Sequence, residues 1–251
     1  PFLLAIHGLH RRGEIDNVGL VSRDGRTLCT GFMINNTAVD GRPLFMTAFH
    51  CNVDEDSAPS LVVYWNFQSP ACGDQGGGDL TQTSSGSTLL AAYVTSDFTL
   101  LELDEAPAAS VGVKYAGWNR RSAVPAGAVC IHHPSTDEKS ISFENDPLST
   151  TFYLSGTPDA GGDHLQVSDW DVGTTEGGSS GSPLFDTEHR VVGQLHGGGA
   201  ACGNDLADWY GRLSVSWEGG GELTTRLRDH LDPGNTGAMT TNLFDPLGAI
   251  F

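Results

Sequence analysis

Short apolar and β-branched runs, separated by glycine, proline and polar turns, are the feature that most restricts the fold of this chain. The 251 residues include 33 glycines and 12 prolines. Short runs between turn formers are typical of β-strands, whereas a helical bundle needs longer segments with helical periodicity. The pattern therefore predicts an all-β protein. Strands are expected at 18–22, 27–35, 43–47, 60–67, 88–95, 98–103, 128–132, 139–144, 165–170, 183–185, 190–196 and 210–217.

The predicted strands fall into two groups, which are joined by the segment 106–109. We expect one β-rich half at about 18–105 and a second at about 110–240. All-β chains of this length often fold as a single unit, so the two halves are expected to form one domain over residues 1–251.

Two segments depart from the strand pattern. The segment 74–87 is rich in Gly, Ser, Thr and Asp, which predicts a loop. In the segment 222–231, leucines recur at helical spacing and Pro233-Gly234 follows, which predicts a C-terminal helix.

Charge and cysteine content exclude several classes of function. The formal net charge is −18, which argues against nucleic acid as a partner, because binding phosphates requires basic residues. The negative electrostatic field of such a chain attracts cationic substrates, and the negative charge also suits solubility in a salty or extracellular medium. The sequence has no apolar run long enough for a membrane helix. None of the five cysteines forms a Cys-x-x-Cys pair, and we predict neither a metal nor a cofactor.

Ser180 lies in the segment Gly177-Gly178-Ser179-Ser180-Gly181-Ser182-Pro183. A serine hydroxyl becomes a nucleophile when a base takes its proton and backbone N–H groups hold the developing oxyanion. Glycines beside the serine permit the tight turn that such a site needs. Gly/Ser runs are also common linkers, so this segment alone is only moderately specific.

His50 and Asp97 are the candidates for the other members of a catalytic site. His50 ends an apolar strand, and histidine titrates near neutrality, so it can accept and return a proton. Cys51 follows directly, and a disulfide with Cys29 on a neighbouring strand would fix the backbone of the base. Asp97 opens the apolar segment 98–103, where a buried carboxylate needs a partner, and His50 would be that partner.

The order His–Asp–Ser is that of the chymotrypsin type of serine peptidase, and it differs from the orders of subtilisins and α/β-hydrolases. The three motifs together resemble the chymotrypsin-like serine peptidases and, more closely, the bacterial lysyl endopeptidases. The likeness extends over about 18–237. Further shared segments are Val62-Val63-Tyr64-Trp65-Asn66, Ala116-Gly117-Trp118, Ile131-His132-His133-Pro134, Gly193-Gln194-Leu195-His196-Gly197-Gly198 and Tyr210-Gly211-Arg212.

This resemblance implies a trypsin-like peptidase domain made of two six-stranded antiparallel β-barrels. It implies His50 as general base, Asp97 as the residue that orients it and Ser180 as nucleophile. The N–H groups of Gly178 and Ser180 would form the oxyanion hole. The predicted substrate-binding residues are Leu195, His196 and Gly197, which would pair with the substrate backbone, together with Tyr210 and Asp208.

The resemblance also implies partners and location. We expect protein or peptide substrates, a monomer, and a secreted bacterial enzyme whose signal and pro-segments have been removed. Relatives carry a tryptophan in the segment corresponding to 152–156, which reads Phe-Tyr-Leu-Ser-Gly here, so His196 is expected to lack its stacking partner. A Cys72–Cys202 bridge requires that two loops meet, and Cys130 is expected to be a free buried thiol.

Asp208 is expected in the wall of the primary specificity pocket. A buried carboxylate there selects a long cationic side chain, which predicts cleavage after Lys or Arg. The alternative is that Asp208 belongs to an acidic loop with Asp205 and faces water. The chain has 13 basic residues but only two lysines, Lys114 and Lys139, which favours Lys over Arg because a protease benefits from few target sites of its own. Acidic, salt-adapted surfaces also lack lysine, which is the alternative explanation of this composition.

The sequence leaves several other functions open. The chain could be a trypsin-like protease with equal preference for Lys and Arg or with another P1 preference, where P1 is the residue before the cleaved bond. It could also be an inactive binding protein on the same fold, because fold alone does not guarantee activity. An esterase or lipase fits poorly, because those enzymes carry Gly-x-Ser-x-Gly between a strand and a helix.

Overall fold

The computed structural model describes residues 11–71 and 76–248, and its strands form two antiparallel sheets. The first sheet has seven strands in the order β5-β4-β1-β2-β3-β7-β6. Its strands are β1 (Val18–Arg23), β2 (Arg26–Met33), β3 (Leu44–Ala48), β4 (Val62–Trp65), β5 (Thr83–Ser85), β6 (Ser87–Tyr93) and β7 (Phe98–Leu103).

The second sheet also has seven strands, in the order β10-β11-β14-β13-β12-β8-β9. Its strands are β8 (Ala128–His132), β9 (Ser140–Glu144), β10 (Ser149–Thr151), β11 (His164–Val167), β12 (Pro183–Phe185), β13 (Val191–Gly198) and β14 (Asp208–Arg212). Three four-residue helices complete the described chain, namely α1 (Arg12–Ile15), α2 (Leu213–Ser216) and α3 (Arg228–Leu231). Among the described residues, no helix has the length and apolar character that a bilayer span requires.

The strand count corrects the expectation of six strands in each half. The additional short strands are β5, which lies inside the predicted loop 74–87, and β10. Each has only three residues, mostly Ser and Thr, and each lies at the edge of its sheet, where one side needs no partner. Such strands lack the apolar alternation from which a strand is predicted.

The C-terminal part also differs from the prediction. The predicted strand 210–217 ends at Arg212, and α2 follows at once. Of the predicted helix 222–231, only α3 is helical, and the segment before it forms turns. Glycines directly before the segment disfavour a helix, and the side chain of Leu223 is 56% exposed, so burial gives the predicted first turn no support.

Three clusters of buried apolar side chains hold the sheets. One cluster lies within the first sheet around Trp65 and Leu101, and another lies within the second sheet around Leu184 and Tyr210. The third cluster joins the two sheets, because it contains side chains from both. Its members include Phe32, Met46 and Leu100 from the first sheet, Ile131, Phe185 and Val191 from the second, and the contacting pair Trp118 and Trp217.

The predicted Cys29–Cys51 disulfide is confirmed, and it joins β2 to the turn Phe49–Cys51 that follows β3. Cys130 is a buried free cysteine, as predicted. Cys202 is exposed and forms no disulfide with a described residue. Its predicted partner Cys72 lies outside the described residues, so that bridge stays a prediction.

Candidate active site

His50 and Asp97 meet at the end of the first sheet. His50 lies in the 3₁₀ turn that follows β3, and Asp97 directly precedes β7, the strand paired with β3. The ring Nδ1 of His50 is 2.8 Å from Asp97 Oδ2, and the backbone N–H of His50 donates to Asp97 Oδ1 at 2.9 Å. Asp97 is 1% exposed, whereas the side chain of His50 is 39% exposed. The carboxylate therefore holds both the ring and the backbone of a histidine that faces the cleft.

The turn that carries Asp97 is held by the second sheet. Asp97 has a φ of +55°, a left-handed conformation that a non-glycine residue rarely adopts without support from its surroundings. The support comes from its neighbour Ser96, whose C=O accepts from Gln194 Nε2 at 2.6 Å. The hydroxyl of Ser216 is 2.9 Å from the hydroxyl of Ser96. The position of Asp97 thus depends on contacts between the two halves of the chain.

Ser180 lies in the turn between the segment 174–179 and β12. It is half-buried and lines a cavity of about 630 Å³ together with His50 and the disulfide. Within the described residues, its hydroxyl makes no hydrogen bond. The structure therefore brings the predicted nucleophile and the predicted base to one cleft, and the His50 side chain is oriented independently of Ser180.

The backbone around Ser180 has two features that an oxyanion hole requires, a tight glycine turn and N–H groups without partners among the described residues. Gly178 has a φ of +96°, and a Cβ at this position would lie 2.6 Å from Thr136 N, so only glycine fits. Among the described residues, the N–H groups of Gly178 and Ser180 have no hydrogen-bond partner. Two free N–H groups beside a serine can both donate to one substrate oxygen.

The structure overturns the expectation that His196 lacks a stacking partner. Tyr153 lies parallel to the ring of His196, with a centroid distance of 3.5 Å and an interplanar angle of 4°. On the other side, His196 stacks on His50 at 5.4 Å. The phenol ring of Tyr153 supplies the flat aromatic face that the missing tryptophan would have supplied.

His196 is also held by residues that the sequence did not single out. His164 Nδ1 is 2.6 Å from Asp163 Oδ1, and His164 Nε2 is 2.9 Å from His196 Nδ1. Burial lowers the pKa of His164, so this ring is neutral, donates to Asp163 and accepts from His196. Burial likewise lowers the pKa of His196 to about 4. The neutral His196 ring lies with Nε2 3.8 Å from Asp97 Oδ1.

Asp208 is buried, so the alternative of a water-facing acidic loop is wrong for this residue. It is 1% exposed at the start of β14, whereas Asp205 is exposed. Its Oδ2 accepts from Thr175 Oγ1 at 2.6 Å and from Trp170 Nε1 at 2.9 Å. Burial raises the pKa of Asp208, and these donors act in the opposite direction. The carboxylate thus lies between the segment that leads to Ser180 and the end of β13.

The other predicted substrate-binding residues differ in whether their groups are already bonded or buried within the protein. Leu195 donates its N–H to Ser182 O and accepts from Gly181 N–H, so its N–H is not free to pair with a substrate. Gly197 lies where β13 extends beyond its partner β12, whose first residue, Pro183, is opposite Gln194. Tyr210 is fully buried in the core, where its ring contacts Trp170 edge-on and its backbone pairs with Leu195 on β13. Its role in substrate binding stays a prediction.

In residues 11–71 and 76–248, one group of three side chains lies close enough together to hold a metal ion, and two of its members are already hydrogen-bonded to each other. Ligand atoms of His50, Asp97 and His196 lie within 4.8 Å of one another. A metal ion there would have to replace the proton between His50 and Asp97. The prediction that the protein uses no metal stays a prediction.

The buried histidine pair should make the protein less stable in mild acid. Burial lowers the pKa of His132 and His133 to about 3, while in the unfolded chain the pKa of each is about 6.5. Between those values the unfolded chain binds more protons, so the free energy of unfolding is full above about pH 6.5 and falls as the pH drops. We expect a loss of about 1 kcal/mol per pH unit for each histidine between pH 6 and 4.5.

Urea unfolding at several pH values, using Ser180→Ala to prevent self-digestion, measures this loss. Glu14 and Asp208, whose pKa values are raised by burial, act in the opposite direction, which makes the decrease smaller than the histidines alone would give. The variant His133→Gln should show a shallower pH dependence. Equal free energies of unfolding at pH 7 and pH 5 would contradict the expectation.

Comparison with known proteins identifies the family of this chain and a curated relative. The family described as "Lysyl endopeptidase, C-terminal domain" matches residues 10–211. The lysyl endopeptidase of Pseudomonas aeruginosa is 34% identical over an alignment of 188 residues, and the match covers 71% of this chain. The matched part is 39% of that protein, so the chain spans about two fifths of the length of this relative.

Solved structures share the fold at low sequence identity. A thermostable serine protease, AL20, from an extremophilic microorganism has a TM-score of 0.56 at 11% identity, covering 80% of this chain and 92% of that one. A Glu endopeptidase in complex with MPD has a TM-score of 0.51 at 18% identity, covering 79% and 85%. Together with the two sheets, these likenesses confirm the all-β, chymotrypsin-like double-barrel fold.

Proposed function

Because the chain belongs to the family of lysyl endopeptidase C-terminal domains, we propose that it is a serine endopeptidase that cleaves after basic residues and prefers Lys to Arg. The observation that carries the proposal is the arrangement of three groups around one cleft. Asp97 is hydrogen-bonded to His50 at 2.8 Å, and His50 lines the same cavity as Ser180. The two free N–H groups beside Ser180 support the same function.

The proposed mechanism assigns a role to each group. Ser180 Oγ bonds to the carbonyl carbon of the substrate, its proton passes to His50 Nε2, and the carbonyl oxygen takes up the electron pair. The N–H groups of Gly178 and Ser180 donate to that oxyanion. When the electron pair returns to the carbonyl, the C–N bond breaks, the leaving amine takes the proton from His50, and an acyl-enzyme remains. Water then attacks the acyl carbon with His50 again as base, and the bond to Ser180 Oγ breaks to release the acid.

Asp97 would orient His50 and stabilise its cationic form. Its Oδ2 accepts from Nδ1, which leaves Nε2 without a proton and turned toward the cleft. The bond from the His50 backbone N–H to Oδ1 fixes the carboxylate itself. The ring stacked on His196 has little freedom to turn away, which keeps the base within reach of the nucleophile.

A basic P1 residue fits the surroundings of Asp208. The carboxylate is buried, and its hydrogen-bond donors among the described residues, Thr175, Trp170 and the backbone N–H of Ala200, are all neutral. A cationic side chain entering from the cleft would supply the counter-charge, and an uncharged one would leave the carboxylate without it.

The contacts and exposure of the chain's own lysines and arginines support a preference for Lys. Lys139 Nζ donates to Ile15 O at 2.9 Å, and Lys114 Nζ is 3.3 Å from Asp16 Oδ2. Both lysine ammonium groups are therefore held by the neighbouring residues Ile15 and Asp16, which makes these lysines poor substrates for a second copy. By contrast, Arg26 and Arg121 are exposed, and an enzyme that cut well after Arg would attack them.

The location and assembly of the protein are part of the proposal. The Cys29–Cys51 disulfide supports an oxidising, extracytoplasmic compartment, which fits a secreted bacterial enzyme. The net charge of −18 supports a protein that stays dispersed, and a monomer is expected. Protein and peptide substrates with basic residues are the expected partners.

Digestion of a mixed protein substrate, with the new termini identified by mass spectrometry, tests the proposal. We expect most cuts to follow Lys, fewer to follow Arg, and few to follow apolar or acidic residues. Equal cutting after Lys and Arg would remove the Lys preference. If no cut occurs and a fluorophosphonate reagent fails to label Ser180, the inactive binding protein becomes the better explanation.

A further inference from the structure

A buried polar network behind the nucleophile is not used by the proposed mechanism. It consists of His132 on β8, Ser142 on β9 and Ser179, the residue directly before Ser180. All three are buried, with at most 1% exposure. His132 Nδ1 is 2.8 Å from Ser179 Oγ, and His132 Nε2 is 3.1 Å from Ser142 Oγ.

The protons of this network can be assigned from its two ends. Ser142 Oγ–H donates to Thr174 O at 2.9 Å, because a carbonyl oxygen only accepts. Ser142 therefore accepts from His132 Nε2–H. Burial keeps His132 neutral, so its Nδ1 is bare and accepts from Ser179 Oγ–H. Ser179 Oγ in turn accepts from Glu176 N–H at 3.1 Å.

The network thus begins and ends on the segment that leads to the nucleophile. Its two backbone ends, Thr174 C=O and Glu176 N–H, and its side chain Ser179 all belong to 174–180, which we call the nucleophile turn. Only His132 and Ser142 come from outside. The two strands β8 and β9 thereby fix the turn from its buried side.

Other contacts fix the carbonyl groups of the nucleophile turn. Gly177 O accepts from Ser135 N–H at 2.6 Å, and Gly178 O accepts from Thr30 Oγ1 at 2.9 Å. Ser179 O accepts from Ser182 N–H at 3.0 Å.

In a planar trans peptide the N–H points away from the preceding C=O. Because the carbonyls of Gly177 and Ser179 are bonded to Ser135 and Ser182, the N–H groups of Gly178 and Ser180 point away from these partners, and neither N–H has a partner among the described residues.

We propose that His132, acting through Ser179 and Ser142, is a positioning residue that keeps the nucleophile turn in the conformation in which both oxyanion-hole N–H groups face the substrate. This inference rests on the proposed peptidase function. The bare Nδ1 of His132 leaves Ser179 only one direction for its proton, so Ser179 is held in one orientation. Without that bond, the peptide groups on either side of Ser179 gain the freedom to rotate.

Kinetics of Ser179→Ala test the proposal. We expect kcat to fall about 10- to 100-fold with KM within about twofold, because the misaligned N–H groups lose mainly the oxyanion interaction. His132→Leu should behave in the same way. His132→Asn should recover part of kcat, because the amide oxygen of asparagine lies near the position of Nδ1 and can accept from Ser179.

Two inhibitors separate positioning from general loss of structure. With a peptide ending in lysinal, Ser180 Oγ bonds to the aldehyde carbon, the hydroxyl proton passes to His50, and the aldehyde oxygen becomes a tetrahedral oxyanion. The matching peptide alcohol binds without forming one. For Ser179→Ala the aldehyde should lose affinity by the same factor as kcat, and the alcohol should stay within about twofold. Both constants are measured on the residual activity, so partial misfolding does not change them.

Ser87→Ala is the matched control, because Ser87 is likewise a buried, hydrogen-bonded serine, but it lies on β6 of the first sheet and its hydroxyl donates to Ala58 O at 2.8 Å. It should keep kcat and both inhibitor affinities. The inference is overturned if Ser179→Ala and His132→Leu keep kcat and aldehyde affinity, or if they lose both inhibitors equally. A wild-type protein that neither cleaves peptides nor binds the aldehyde would instead refute the proposed function.

Discussion

Replacing Ser180 with alanine should lower kcat by about a million-fold, because the substrate carbonyl then has no nucleophile to form the acyl-enzyme. Substrate binding should change little, since the backbone N–H groups and Asp208 remain. Folding should also be unaffected, because the Ser180 hydroxyl makes no hydrogen bond among the described residues. Single-turnover kinetics on a lysyl ester, with thermal unfolding measured in parallel, give both quantities.

Two further variants make this prediction specific. Ser110→Ala removes an exposed serine hydroxyl far along the chain and should keep full activity. Adding His50→Ala to Ser180→Ala should reduce kcat little further, because the two residues act as one unit. If Ser180→Ala retained more than about a hundredth of the wild-type kcat, another group would have to be the nucleophile.

Replacing Asp208 with asparagine should reduce kcat/KM for lysyl substrates by about a thousandfold. Removing one partner of a buried ion pair costs about 3–5 kcal/mol, because the remaining charge is left without its counter-ion. Asparagine keeps an oxygen that can accept from Thr175 and Trp170, so the local packing should persist. Activity toward a matched substrate with an uncharged P1 side chain of similar length should change much less.

Asp205→Asn is the control for this second prediction. It removes the same charge from an exposed position three residues earlier, so it changes the general field around the cleft but no buried contact. Its kcat/KM for lysyl substrates should stay within about twofold of wild type. Equal losses in the two variants would mean that long-range attraction, and not a buried ion pair, selects basic residues.

The sequence was sufficient to predict the family resemblance, the fold class and the disulfide, which are confirmed. It also singled out His50, Asp97 and Ser180, because each motif combines a reactive side chain with a turn or strand end. These features are local in the chain, so they can be recognised one segment at a time.

Contacts between distant segments could not be predicted in that way. Thr175 and Trp170 bind the Asp208 carboxylate from more than thirty residues away, and nothing in their own segments marks them. Tyr153 takes over the stacking role of a missing tryptophan, which becomes visible only when its ring is found parallel to that of His196. Leu195 was expected to serve the substrate, but its N–H is bonded to Ser182.

Thr30 connects the two halves of the chain more closely than the sheet topology suggests. It follows Cys29 on β2, and its hydroxyl accepts from His133 N–H at 3.0 Å while donating to Gly178 O. Its backbone N–H donates to Ser180 O at 2.8 Å. A chimera that exchanged one sheet for that of a relative would have to carry over a matching Cys-Thr pair, because these two neighbouring residues connect the segment of the proposed base, His50, to that of the proposed nucleophile, Ser180.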